Sequence, residues 1–221
     1  MGYARLAFRA LFRTPFVTTV AIVSLALGIG ANAAIFSLTD QILLKPLPVP
    51  APERLVYLTA PGPKPIYGNT TESGDEQSIF SYLMYRDLER SQSVLTGLAA
   101  FLTVKGSFAT RGEPFTGDVA MVSGSYFHTL GLTPALGRLI GPDDDAVIGN
   151  GSVAVLSYSF WQGRLGGDPH VLESSITVNG QSMTIVGVAP RDFEGFTFGQ
   201  HPNVFVPLTM TTKVAGDFGF Q

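Results

Sequence analysis

Cysteine is absent from this chain of 221 residues, and charged side chains make up only 14% of it. Without cysteine the fold cannot depend on disulfides, and thiol-based metal sites and thiol redox chemistry are excluded. The formal net charge is −3, whereas a nucleic-acid-binding domain needs a basic patch. Nucleic acid is therefore not an expected partner.

Motifs for catalysis and nucleotide binding are also missing. The three histidines His128, His170 and His201 lie far apart, without the spacing typical of metal ligands. The chain contains no G-x-x-x-x-G-K-[ST] phosphate loop and no G-x-S-x-G elbow of serine hydrolases. We therefore predict no enzyme, with no catalytic, cofactor-binding or metal-binding residues.

Asp143-Asp144-Asp145 is the one acidic cluster. A calcium-binding loop that starts there would need a glycine at its sixth position and a glutamate at its twelfth, where the chain has Ile148 and Ala154. We interpret the cluster as a solvated acidic turn. The aromatic residues of the next predicted helix are interpreted as core rather than as a ligand groove: Tyr158, Phe160 and Trp161.

A long uncharged run follows three arginines near the N-terminus. Residues 14–39 carry no charged side chain. As a helix, residues 16–38 would extend roughly 34 Å, enough to cross a bilayer core of about 30 Å. The run shows no polar face of the kind that a water-soluble helix needs. The sequence therefore predicts a transmembrane helix within residues 15–44.

The arginines also predict the orientation of this helix. Arg5, Arg9 and Arg13 lie before the run, and basic residues favour the cytoplasmic side of a membrane. The N-terminus is then cytoplasmic, and the chain beyond the helix lies outside the cell or in the periplasm. Residues 1–14 are predicted to form an amphipathic segment on the cytoplasmic face, in contact with membrane lipid.

A cleaved signal peptide is the alternative interpretation of the same run. Ala31-Asn32-Ala33 fits an A-x-A cleavage pattern, which would release an exported soluble binding module near Ala33. The apolar run continues past this point to Leu38, and it is longer than a usual signal core, so a retained helix is favoured. Ala26, Gly30 and Ala34 form a stripe of small residues that would let another helix approach closely.

The remainder of the chain mixes predicted strands with predicted helices, which favours an α+β fold. Residues 45–65 form a proline-rich linker with a first strand at 53–58, and 68–77 form a polar loop. Asn179-Gly180 between two β-rich runs predicts a hairpin over 175–188. The other predicted elements are a helix at 81–91 capped by Ser78 or Ser81, strands at 98–105 and 113–122 separated by breaks at 106–108 and 110–112, a helix at 124–130 capped by Ser123, a strand at 152–156, a helix at 158–165 capped by Ser157, and a strand at 204–207.

Several short motifs occur together in a specific order. They include LALGIGANAAIFS at 25–37, LGLTPALGR at 130–138, GGDP at 166–169 and IVGVAP at 185–190. With the flanking residues at 13–16, 43–48 and 52–56, they resemble MacB/FtsX-type ABC transporter permeases, most closely the acidobacterial duplicated orphan permeases.

This resemblance implies a MacB-like periplasmic core domain at residues 66–221, with an α+β fold of two lobes. It implies a non-catalytic permease subunit of the inner membrane that forms a homodimer or pseudo-dimer through membrane helices. Its outer domain would transmit motion driven by a cytoplasmic ABC ATPase, for efflux or envelope remodelling. Family members continue into further membrane helices, whereas this chain ends at Gln221, so we expect a fragment with an incomplete domain.

Overall fold

A computed structural model describes residues 15–39, 47–59, 80–110, 113–196 and 199–215. The chain divides into two compact units, Met1–Leu47 and Pro48–Gln221. The amphipathic segment predicted at 1–14 and the polar loop predicted at 68–77 lie outside the described residues.

The first unit contains helix α1, Pro15–Thr39. Proline suits the first turn of a helix, where its missing N–H is not needed, and the hydroxyl of Thr19 donates to the carbonyl of Pro15 at 2.9 Å. Residues Pro15–Ser37 have a mean hydropathy of 2.0, and no residue of their most apolar stretch is buried. Within the described ranges, this is the one helix that is long and apolar enough to cross a membrane.

The second unit is a sheet with short helices around it, which confirms the α+β prediction. Its helices are α2 (Tyr82–Ser91), α3 (Tyr126–Thr129), α4 (Tyr158–Leu165) and α5 (Thr211–Val214). Its strands are β1 (Phe101–Thr110), β2 (Glu113–Val122), β3 (Leu136–Gly137), β4 (Val153–Leu156), β5 (Ser175–Val178), β6 (Gln181–Val188) and β7 (Pro202–Pro207). The described residues of this unit also form four 3-10 turns: Pro52–Arg54, Pro142–Asp145, Pro169–Val171 and Leu208–Met210.

The seven strands follow the order β3-β6-β4-β7-β2-β1-β5. β2 pairs with β7 and β4 pairs with β6 in parallel, whereas the other pairs are antiparallel. β5 pairs with β1 through Phe108 and Val178, and it also pairs with β6 along its whole length. The sheet therefore closes into a ring of six strands, and β3 extends it at the edge of β6.

Buried side chains lie on both faces of the central strands. In β7, Val204 and Val206 belong to one hydrophobic cluster and Phe205 belongs to another, because neighbouring residues of a strand point to opposite faces. The first cluster draws on all six strands of the ring and fills its interior, so we call it the inner cluster. The outer cluster lies between β2, β4, β7 and the segments around α3 and Phe193.

Residues 48–221 form one compact unit that contains two hydrophobic cores, the inner and the outer cluster. The strands β2, β4 and β7 each contribute side chains to both clusters, which joins the two cores through a shared layer.

The strand predicted at 53–58 is wrong. The chain forms the 3-10 turn Pro52–Arg54, closed by the N–H of Leu55 donating to the carbonyl of Pro52 at 3.2 Å, and residues 55–59 form no strand. The side chains of Val56 and Tyr57 remain 66% and 67% exposed. A β-rich composition does not form a strand unless a neighbouring strand offers hydrogen bonds.

The break predicted at 106–108 is also wrong, because β1 continues through it. A Cβ at Gly106 would lie 2.5 Å from a methyl of Val119, so glycine is needed there for close packing and not for a turn. The predicted cap Ser123 does not cap α3: Ser125 holds that position, and the hydroxyl of Ser123 accepts from the N–H of Ala100 at 3.0 Å.

Three other predicted local signals are confirmed. Ser81 caps α2 and Ser157 caps α4, each by accepting a backbone N–H of the first turn. Asn179-Gly180 forms the turn between β5 and β6, with positive φ angles of 46° and 81°. Asn179 also ties this turn to its surroundings. Its Oδ1 accepts from the N–H of Ser107 and its Nδ2 donates to the carbonyl of Val214, both at 2.6 Å.

Candidate functional site at the acidic turn

The 3-10 turn Pro142–Asp145, which we call the acidic turn, bridges the ends of the parallel strands β2 and β7 by hydrogen bonds. Asp145 is only 3% exposed. Its Oδ2 accepts from the N–H of Gly124 at 3.0 Å, just after β2, and its Oδ1 accepts from the N–H of Thr209 at 2.8 Å, just after β7. One buried carboxylate thus satisfies two buried backbone donors that have no strand partner.

The neighbouring aspartates have different surroundings. Asp144 accepts two hydrogen bonds from the guanidinium of Arg138, at 2.6 and 2.9 Å, and one from the N–H of Gly141 at 2.9 Å. The side chain of Asp143 is exposed. The prediction of a solvated turn therefore holds for Asp143 and is wrong for Asp145, because the backbone N–H groups that Asp145 accepts from come from distant parts of the chain.

A second polar group on α2 faces the same junction. The hydroxyl of Tyr85 donates to Glu89 at 2.6 Å and lies 3.2 Å from the hydroxyl of Ser125. Ser125 in turn donates to the carbonyl of Leu98 at 2.6 Å. A cleft of about 420 Å³ lies between α2 and the acidic turn, lined by Arg86, Glu89, Gly124, Ser125, Pro142, Asp143, Asp145 and Ala146.

The environment shifts the pKa values of these groups in different directions. Burial raises the pKa of Asp145, although the N–H groups of Thr209 and Gly124 oppose the shift. Burial also acts to raise the pKa of Asp144, but the hydrogen bonds from Arg138 and Gly141 outweigh it and lower the pKa. Burial and the hydrogen bond to Glu89 raise the pKa of Tyr85 to about 12.

These features describe a structural junction. Both oxygens of Asp145 already accept backbone N–H groups, and Tyr85 stays protonated at neutral pH. Across the described part of the chain, no three His, Asp or Glu side chains come together to hold a metal ion.

The histidines of the sequence do not meet. His128 on α3 and His170 in the turn Pro169–Val171 are both exposed. His201 contacts Glu194, with Nδ1 and Oε2 2.5 Å apart. The aromatic residues of α4 belong to the core, as predicted: Phe160 is buried, and Tyr158 and Trp161 pack against the inner cluster.

Sequence reasoning missed the role of Asp145 and Tyr85. The partners of Asp145 lie 21 and 64 residues away, and Ser125 lies 40 residues from Tyr85. The local pattern of three aspartates after Gly141-Pro142 indicates a turn and carries no information on which aspartate is buried.

A prediction about pH follows from the pair of Arg138 and Asp144. Asp144→Asn is expected to reduce the free energy of unfolding at neutral pH by about 0.5–1 kcal/mol, because Arg138 is largely exposed to solvent. Since the folded pKa of Asp144 is lowered, its contribution is full above the unfolded value of about 3.9 and is lost as the pH falls through the folded pKa. Urea unfolding of the detergent-solubilised chain, followed by fluorescence of the single tryptophan Trp161, measures it.

The matched control for this pair is Asp143→Asn, which removes an exposed carboxylate from the same turn. We expect a change within about 0.5 kcal/mol for the control. An equal loss for both variants, with no dependence on pH, would contradict the specific role of Asp144.

The fold and this junction define a class: an α+β domain that follows an apolar helix in the chain, with a polar centre that holds strand ends together. The sequence matches the MacB-like periplasmic core domain over residues 18–219. The chain therefore belongs to this family, whose members are found in ABC transporter permeases of the MacB/FtsX type.

Solved structures show the same fold. The periplasmic region of MacB from Actinobacillus actinomycetemcomitans superposes with a TM-score of 0.52 at 16% identity, over 69% of this chain and 66% of that one. The extracellular domain of the noncanonic ABC-type transporter YknZ from Gram-positive bacteria gives a TM-score of 0.51 at 16% identity, over 63% and 68%. No curated protein matches the sequence significantly.

Proposed function

We propose that this chain is a non-catalytic permease subunit, or part of one, in an ABC transporter of the inner membrane. Its outer domain passes on motion that a cytoplasmic ABC ATPase drives, for efflux or for envelope remodelling. The exposed apolar helix α1 stands before a MacB-like domain in the same chain, and this arrangement carries the proposal. The sequence has no phosphate loop of its own, which agrees with hydrolysis by a partner.

The packing of the domain supports a mechanical role. Val49 and Leu55, in the segment that enters the domain, pack against the outer cluster. Leu208, Met210 and Val214, in the segment after β7, belong to the inner cluster. Because β2, β4 and β7 contribute to both clusters, a displacement of the first segment reaches the second through a closed, densely packed ring.

Association through membrane helices is part of the same proposal. Ala26, Gly30 and Ala34 lie at four-residue spacing on α1, and a Cβ added at Gly30 would meet no other atom within 4 Å. The backbone of a second helix can approach such a surface closely, as a homodimer or pseudo-dimer requires. We place the N-terminus in the cytoplasm, the domain in the periplasm and residues 1–14 at the lipid surface.

The absence of cysteine allows a direct test of this topology. In spheroplasts, a membrane-impermeant maleimide is expected to label Val94→Cys, because Val94 is 91% exposed in the outer domain. Ala4→Cys is expected to react only after the membrane is permeabilised. Ala154→Cys is the matched control: Ala154 is fully buried and should react only after unfolding.

The mass of the N-terminus completes the test. An intact Met1 or Gly2 in the membrane fraction supports the permease. A soluble product that begins near Ala34 would overturn the proposal in favour of an exported binding module. Labelling of Ala4→Cys in intact spheroplasts would overturn the orientation alone.

A further inference from the structure

The dipeptide Asn-Gly occurs twice in this chain, at Asn150-Gly151 and at Asn179-Gly180. In such a pair the backbone nitrogen of glycine can attack Cγ of the asparagine side chain. A C–N bond forms, the side-chain nitrogen leaves as ammonia, and water opens the cyclic imide to aspartate or isoaspartate. Glycine favours the reaction because it has no Cβ to hinder the approach. Water is the only reactant besides the protein.

The structure places the two asparagines in opposite environments. Asn150 is exposed in the loop between the acidic turn and β4. Its backbone is held, because its N–H donates to the carbonyl of Val147 at 3.1 Å and its carbonyl accepts from the N–H of Ser152 at 3.0 Å. Its side-chain amide has no hydrogen-bond partner among the residues that the structure describes, so no side-chain hydrogen bond has to break before Cγ approaches the nitrogen of Gly151.

Both the oxygen and the nitrogen of the Asn179 side-chain amide are hydrogen-bonded. Oδ1 accepts from the N–H of Ser107 and Nδ2 donates to the carbonyl of Val214, each at 2.6 Å, and the backbone N–H of Asn179 donates to the carbonyl of Ser107 at 2.8 Å. Attack by Gly180 would need Cγ to rotate and Nδ2 to leave. Both hydrogen bonds must therefore break first, which requires the turn to separate from β1 and α5.

We propose that Asn150-Gly151 is a self-modification site of the folded protein, whereas the same dipeptide at Asn179 is protected until the β5–β6 turn opens. Conversion of Asn150 adds a negative charge to a cleft of about 300 Å³ whose wall already contains Asp143 and Asp144. Conversion of Asn179 would instead remove the donor to Val214 and, as isoaspartate, lengthen the backbone of a two-residue turn. The first change alters a surface, and the second would weaken the contacts of the β5–β6 turn with β1 and α5.

Trypsin separates the two sites, which makes the test simple. Cleavage after Arg138, Arg164 and Arg191 gives one peptide, 139–164, with Asn150 and another, 165–191, with Asn179. The full chain is incubated in detergent in mildly alkaline buffer, with and without urea, and both peptides are followed by mass spectrometry for the exchange of an amide for an acid.

In the native chain we expect the peptide with Asn150 to convert at least about tenfold faster than the peptide with Asn179, because reaction at Asn179 needs a local opening. In urea the two rates are expected to converge. Asn150→Gln, whose longer side chain disfavours the cyclic imide, should abolish conversion of the first peptide and leave the second unchanged. Equal rates in the native chain, or no conversion of Asn150 before unfolding, would overturn the proposal. Neither result depends on the transport role proposed above.

Discussion

Replacing Asp145 by alanine is expected to lower the free energy of unfolding by about 2–4 kcal/mol. The substitution removes the acceptor of two buried backbone donors, the N–H groups of Gly124 and Thr209. A buried donor without an acceptor loses the hydrogen bonds that it would make with water, and this loss is the main cost. The cleft beside Asp145 limits the effect, since water can reach part of the space. Urea unfolding followed by Trp161 fluorescence measures the change.

The variant Asp145→Asn removes the charge of the side chain and keeps its size, so it separates the effect of charge from the effect of packing. It keeps the size of the side chain and one carbonyl oxygen, so we expect a loss of about 1–2 kcal/mol at mildly acidic pH. Burial raises the pKa of Asp145 in the folded state, so the folded protein binds the proton more tightly than the unfolded chain does. Stability due to Asp145 therefore falls as the pH rises from about 4 through the folded pKa.

The amide does not titrate, so the deficit of Asp145→Asn should shrink as the pH rises through that range. This trend is opposite to the one expected for Asp144→Asn. A deficit that grows with pH would contradict the buried position of the Asp145 carboxylate. A loss of less than about 0.5 kcal/mol for Asp145→Ala would contradict its role as acceptor for the two strand ends.

Phe205→Ala is expected to produce the largest loss of stability, about 3–5 kcal/mol. Phe205 is fully buried in the central strand β7. Its ring lies 5.4 Å from that of Phe127 and 5.9 Å from that of Phe193, so it joins α3 and the segment after β6 to the sheet. Alanine leaves a cavity that these rigid rings cannot close.

Two variants serve as controls for Phe205. Phe205→Leu retains most of the apolar volume and should cost only about 1–2 kcal/mol. Tyr57→Ala removes an aromatic ring that is 67% exposed and should change stability by less than about 0.5 kcal/mol. Similar losses for Phe205→Ala and Tyr57→Ala would show that the outer cluster does not contribute to the folded state as described.

Local chemistry made a large part of the fold predictable. Ser81 and Ser157 are recognisable as helix caps because a serine before a helix can accept a free N–H of the first turn. Asn179-Gly180 is recognisable as a turn because these residues tolerate positive φ. Such signals depend on a few consecutive residues, which the sequence shows directly. The same reasoning wrongly predicted a strand at residues 53–58. A strand needs a neighbouring strand to pair with, and the local sequence does not show whether one is present.

The junction formed by Asp145 with Gly124 and Thr209 could not be predicted either, because it depends on residues far apart in the chain. Asp143, Asp144 and Asp145 are chemically identical in the sequence, yet one is exposed, one binds Arg138 and one is buried. The difference arises from the N–H groups of Gly124 and Thr209, which reach Asp145 only after β2 and β7 have paired. No local pattern distinguishes three adjacent carboxylates before that pairing exists.

The sequence by itself determined the apolar helix, the mixed α+β class, the helix caps Ser81 and Ser157 and the Asn179-Gly180 turn, since each depends on composition or on contacts within a few residues. Only the tertiary structure decided that the sheet closes through β5, that its central strands serve two cores, and that Asp145 holds two strand ends. These features depend on pairings between residues far apart in the chain. Their free energy comes from burial and from satisfied backbone groups, which exist only once the whole ring has formed.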